Sequence, residues 1–295
     1  MFNYKALILT CLLMTVSVCS AEITVAVSTT QIYNLTYNIA GDDAKVLSIL
    51  APGQDPHTYQ PVPKDIETVQ NADVIIENGL HLEGKNWMKT LAEDAGKPLI
   101  TATDGIIPLI MDKDGTKVND PHAWFTPRNA AVYVNNIAKA LVKHDPDNRA
   151  SYISRAKLLL ASLKSLDGWI RSEVSVIPPE KRVLVTNHDA FQYFATEYGF
   201  INTAPIGWST GSEVGGGVTP QRREMVVNSI REMNVRSIFF ETTINPKLIR
   251  EIAKDAGISI GGSLYSDSMG DSGTPGETYI GMMRENVIKI VRGLK

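Results

Sequence analysis

Residues 145–179, DPDNRASYISRAKLLLASLKSLDGWIRSEVSVIPP, read as one long helix set between two similar α/β segments. Asp145 suits an N-cap, Pro146 the first helical turn, and Asp147 the positive end of the helix dipole. Apolar residues then recur at Tyr152, Ala156, Leu159, Leu163, Leu166, Ile170 and Val174. Steps of three or four make these one continuous stripe to bury. Pro178 and Pro179 stop the helix. A break near Gly168 would give two ordinary helices, but a single glycine costs only ~1 kcal/mol, so the expectation is one unbroken helix. At 1.5 Å per residue it would be roughly 45 Å long, the spine of the molecule.

On the N-terminal side, β-branched runs alternate with helical segments. Strands are expected at 23–27, 45–50, 73–77 and 98–101, with helices at 31–40, 63–70, 86–95 and 127–144. After the spine the pattern restarts, with strands at 182–186, 200–206, 237–241 and 258–262 and helices at 190–198, 219–233, 245–256 and 276–292. Strand–helix–strand alternation is the signature of mainly parallel α/β sheets. The expected organisation is a leader over 1–21, an N-terminal α/β lobe over 22–144, a linking helix over 145–179 and a C-terminal α/β lobe over 180–295.

The leader has three parts: Lys5, an apolar run from Ala6 to Val18, and small residues Cys19-Ser20-Ala21. This is the layout of a secretory signal. The run is shorter than the ~20 residues that span a bilayer, which disfavours an anchor. Val18 is a poor neighbour for lipidation at Cys19, so the expectation is cleavage after Ala21. Both cysteines, Cys11 and Cys19, would leave with the leader, and the mature chain would have no disulfide or thiolate ligand. Loss of Lys5 takes the formal net charge from −3 to −4. Nothing in that balance suggests a nucleic-acid surface.

Five histidines remain, and three fall where a parallel sheet carries functional loops, beyond the carboxyl ends of strands. His57 stands in Pro-Gly-Gln-Asp-Pro-His-Thr-Tyr, His122 in Asn-Asp-Pro-His-Ala-Trp, and His188 directly follows Val-Leu-Val-Thr-Asn. Asp-Pro-His occurs twice, and proline stiffens each presentation. Stiffly held imidazoles suit a metal ion. A fourth donor would be Asp267, in Ser-Leu-Tyr-Ser-Asp-Ser-Met-Gly, or Glu241, ending Ile-Phe-Phe-Glu; periodicity does not separate them. His144 ends a helix, where a cation eases the dipole. Asn187, Asp189, Asp55 and Asp120 stand beside the histidines as partners to hold each ring in one tautomer.

The motifs at 53–57 (GQDPH), 78–83 (NGLHLE), 120–124 (DPHAW), 185–191 (VTNHDAF) and 265–267 (YSD) resemble the TroA-like metal-binding solute-binding proteins of ABC transporters. The resemblance runs from about Ile23 to Leu294. It implies two α/β lobes joined by one rigid long helix, with a single metal held in the cleft by His57, His122, His188 and Asp267. It thus favours Asp267 over Glu241, and gives His81 a structural role. The implied function is capture of Zn²⁺ or Mn²⁺, with Fe²⁺ also open, by a monomeric periplasmic protein that delivers it to an ABC permease in the cytoplasmic membrane. Zinc-dedicated members often carry a long histidine-rich loop; the stretch 111–119 is short and has no histidine. A zinc hydrolase is the enzymatic alternative, but no His-Glu-x-x-His motif supports it. A surface adhesin is a third class, and no repeat or aromatic stripe supports that one.

Overall fold

The computed structural model describes residues 22–113, 116–187, 189–205, 219–235, 237–242 and 246–295. The leader and His188 lie outside these described residues.

The first half builds a four-stranded parallel sheet in the order β2-β1-β3-β4, from β1 (Ile23–Val27), β2 (Ala44–Ser48), β3 (Val74–Glu77) and β4 (Leu99–Thr101). Helices α1 (Thr30–Ala40), α2 (Pro63–Asn71) and α3 (Trp87–Asp94) connect them. Val25, Val27, Val74 and Ile76 face one apolar cluster, while Ala26 and Ile75 face a second. Burial on both faces explains why these strands read as unbroken apolar runs. The chain reverses direction across the sheet between β1 and β3, and the loops at their carboxyl ends open the crevice where ligands settle.

An antiparallel hairpin follows, β5 (Ile110–Lys113) with β6 (Thr116–Asn119). Tyr193 holds its base, accepting from Leu109 N–H and donating to Asp120 C=O. Helix α4 (Pro127–His144) then starts at an N-cap, Thr126, whose hydroxyl accepts from Asn129 N–H at 3.1 Å.

The spine is α5 (Arg149–Val174), unbroken through Gly168 and roughly 39 Å long. Its buried residues are the seven of the expected stripe. The start differs from expectation. Asp145 closes α4 instead, its N–H donating to Leu141 C=O, and its carboxylate accepts from Tyr152 Oη and Asn148 Nδ2. Asn148 therefore occupies the N-cap position of α5. The far end frays at Ser175, three residues before Pro178. Arg155 fastens α5 to the first half by donating to the Ile39 and Ala40 carbonyls that end α1.

In the second half, β7 (Val183–Val185) pairs in parallel with β8 (Ile201–Thr203), and β9 (Ser237–Glu241) with β10 (Ser259–Leu264). Among the described residues these are two two-stranded parallel sheets, and β7 runs near β9. Helices α6 (Gln192–Tyr198), α7 (Pro220–Glu232) and α8 (Pro246–Ala256) complete these units. The last helix, α9 (Tyr279–Leu294), packs on both α5 and β10. One apolar core crosses the spine, from Val25 and Ile32 through Leu163 and Ile170 to Met282 and Ile290.

Candidate metal centre

His57 sits on the connection from β2 to α2, where Asp55 forms a short turn by accepting His57 N–H at 2.8 Å and Thr58 Oγ1 at 2.9 Å. The Pro56 carbonyl accepts from Trp87 Nε1 at 3.0 Å, which pins this turn to α3. Gly84 passes so close that a Cβ there would stand 1.9 Å from the His57 carbonyl oxygen. The neighbouring loop is also tightly held. Buried Glu83 accepts from Ser28 Oγ, Asn78 N–H and Gly79 N–H at 2.6, 2.7 and 3.1 Å. Burial pushes its carboxyl upward against those stabilising bonds.

His122 repeats the turn, with its N–H donating to Asp120 Oδ1 at 2.9 Å. Here the same oxygen also lies 2.7 Å from His122 Nδ1. A carboxylate accepts only, so Nδ1 carries the proton and the lone pair stands on Nε2. His122 is 2% exposed and packs edge-on against Trp124.

Asp267 arrives from the other side, on the loop after β10. Its oxygens lie 3.4 Å from His57 Nε2 and 3.4 Å from His122 Nε2, and the two Nε2 atoms are 3.3 Å apart. His57 meets Oδ2 and His122 meets Oδ1, so the carboxylate faces both imidazoles, and three such donors this close can share one metal ion. This is the one group of three such donors within 4.8 Å of one another among the described residues. His57 is 22% exposed against 4% for Asp267, so the solvent side of the cluster is the His57 side.

The Asp267 loop is bonded to the first half at three points. Gln31 Nε2 donates to Ser266 C=O at 2.9 Å, Gly53 N–H to Ser268 Oγ at 2.6 Å, and Met269 N–H to Thr30 Oγ1 at 3.0 Å. None of these three bonds could be read from spacing, because each joins residues more than 200 positions apart.

The other expected residues separate clearly. Glu241 is buried and accepts from Asn187 Nδ2 and Ser266 Oγ. Asn187 therefore holds Glu241, and Asp55 holds backbone and Thr58; of the expected ring partners, Asp120 is seen gripping its imidazole. His81 is exposed with φ of 66° and stands outside the cluster. His144 ends α4 as expected, and burial, with Lys143 beside it, lowers its pKa against the pull of Asp73.

Mixed α/β halves with parallel sheets on a long helix, and donors converging from both, define a binding protein of the cleft type. Residues 25–293 match the family described as zinc-uptake complex component A, periplasmic, and the chain belongs to that family, whose members are solute-binding proteins of ABC transporters and not enzymes. Relatives include the iron-binding protein YfeA of Yersinia pestis, 39% identical over 90% of this chain and 84% of that protein. The manganese-binding lipoprotein MntA of Halalkalibacterium halodurans is 38% identical over 87% of this chain and 83% of its own length. Among solved structures, the periplasmic zinc binding protein TroA from Treponema pallidum superposes with a TM-score of 0.83 at 31% identity, covering 92% of this chain and 99% of that one. Members of the family work outside the cytoplasm with a membrane ABC importer.

Proposed function

We propose that the protein captures one divalent transition metal ion with His57, His122, His188 and Asp267 and delivers it to the permease of an ABC importer. The observation that carries this reading is the convergence of His57 Nε2, His122 Nε2 and the Asp267 carboxylate, each ring nitrogen 3.4 Å from one of its oxygens and 3.3 Å from the other ring nitrogen. His188 joins the set through the family resemblance.

Imidazole and carboxylate donors without sulfur suit Zn²⁺, Mn²⁺ and Fe²⁺. The Irving–Williams order puts Zn²⁺ above the other two at such a site. The cargo in the cell is then set by supply as well as by affinity, in keeping with relatives named for manganese, iron and zinc. We take 22–144 and 180–295 as the two lobes and 145–179 as their link, and the working form as a monomer in the periplasm, cleaved after Ala21.

The test is metal content of the protein purified from its own compartment without added metal or chelator, beside single alanine variants. One ion per wild-type chain is expected, with loss in His57→Ala, His122→Ala, His188→Ala and Asp267→Ala and retention in His81→Ala. Full metal content in His122→Ala sinks the reading. Mass spectrometry of the mature chain tests the leader: a mass for 22–295 is expected, and an acylated Cys19 replaces it with a tethered form like the relatives named lipoproteins.

A further inference from the structure

Glu241 ends β9 behind the donor cluster, and three hydrogen bonds make it a brace. Its Oε1 accepts from Asn187 Nδ2 at 2.7 Å, its own N–H donates to Asn187 Oδ1 at 2.7 Å, and its Oε2 accepts from Ser266 Oγ. Asn187 immediately precedes His188, and Ser266 immediately precedes Asp267. All three bracing residues are at most 2% exposed.

A carboxylate so deeply buried is retained only where hydrogen bonds offset its lost hydration; an apolar residue would fill the same space more favourably. What the carboxylate adds is geometry. It links the end of β7 to the start of the Asp267 loop, 54 and 25 residues away in sequence. The Ser266 carbonyl passes the connection on, accepting from buried Gln31 of the first half.

We infer that Glu241 is a positioning residue, setting the separation between the loop after β7 and Asp267 and thereby the metal geometry and retention of the site. The inference rests on the metal-binding reading above. Groups that orient metal ligands typically change affinity by about 10–100-fold when removed.

The experiment uses the full mature chain and Co²⁺ as a spectroscopic probe, with Zn²⁺ release to a chelator as the second readout. Glu241→Ala is expected to shift the Co²⁺ d–d absorption and to speed Zn²⁺ release by about 10–100-fold. Glu241→Gln is expected to restore both, since its carbonyl can accept from Asn187 while its amide donates to Ser266 Oγ. An unchanged spectrum and release rate in Glu241→Ala overturns the inference. So does a Glu241→Gln variant that loses metal as fully as Glu241→Ala, because the carboxylate would then itself be a ligand. Should Glu241→Ala fail to fold, Ser266→Ala removes one strut alone, with the same shift expected and the same null result overturning. His122→Ala in parallel separates the two levels. If it keeps metal, the site reading fails; if it loses metal while Glu241→Ala behaves as wild type, the brace alone fails.

Discussion

Asp120 Oδ1 receives two hydrogen bonds from His122, one from its backbone N–H at 2.9 Å and one from Nδ1 at 2.7 Å. A single buried carboxylate oxygen thus sets both the turn and the tautomer, and leaves Nε2 facing His57 and Asp267. Asp120→Ala should weaken metal binding by about 10–100-fold, with Asp120→Asn weakening it less because the amide oxygen still accepts from Nδ1. Competition titration with a chromogenic chelator measures this, and wild-type affinity in Asp120→Ala would refute the role.

Gly84 offers a second handle on the cluster from outside it. A methyl group there must displace the His57 carbonyl, since 1.9 Å is far inside contact distance. The clash is with backbone, which has no rotamer to escape into. Gly84→Ala should destabilise by about 1–3 kcal/mol, the usual range for overpacking, and loosen metal binding through His57. Melting and metal titration of the same sample check both effects; a variant unchanged in both would show that the turn yields freely.

The same reasoning about glycine gives the opposite sign at Gly168. It is exposed, lies mid-helix in α5, and a Cβ there would meet nothing within 4 Å. Gly168→Ala should therefore stabilise by about 0.5–1 kcal/mol through lower backbone entropy of the unfolded chain. Differential scanning calorimetry on metal-free protein decides it, and a lower melting temperature would mean that α5 uses a kink there.

Much of this arrangement was legible from residue patterns, and the failures have physical causes. The stripe from Tyr152 to Val174 needed only helical periodicity, because α5 packs along its whole length on one core. Its start was misplaced because Asp145, Asp147 and Asn148 are all capable caps. The choice was made by Tyr152, whose hydroxyl takes the Asp145 carboxylate. The hairpin Ile110–Asn119 escaped because four-residue strands carry too little alternation to stand out. The two Asp-Pro-His tripeptides did announce similar turns, and both aspartates accept the histidine N–H. That Asp120 also grips its ring while Asp55 turns to Thr58 depends on packing around each turn, which no local pattern encodes. Nor could periodicity rank Asp267 against Glu241, since both stand at the carboxyl ends of strands.

Glu77 predicts a pH dependence separate from metal binding. Burial, reinforced by the charge of Glu83, pushes its carboxyl up to about 7 against opposing effects of Thr101 and Lys89. The folded form therefore holds this proton more tightly than the unfolded chain, whose value is 4.5. Its contribution to stability is fully present below 4.5 and is lost as pH rises through 7. Glu77→Gln removes that loss while keeping an acceptor for Thr101 Oγ1. Melting curves of metal-free protein should then show the variant gaining on wild type between pH 4.5 and 8. A constant difference across that range would show that Glu77 titrates normally.

Metal loading should stabilise the whole chain, because Asp267 comes from beyond α5 while His57 and His122 come from before it. An ion bound by both sides favours the folded state by mass action, about 2.7 kcal/mol at a hundred times its dissociation constant. Removing Asp267 should erase this increment while changing the metal-free protein little, since its loop remains tied through Ser266 and Ser268 to Gln31 and Gly53. The comparison is therefore four melting curves, wild type and Asp267→Ala, each with and without Zn²⁺. The expected pattern is a metal-dependent rise in wild type only. An equal rise in Asp267→Ala would show that the stabilising ion does not need Asp267.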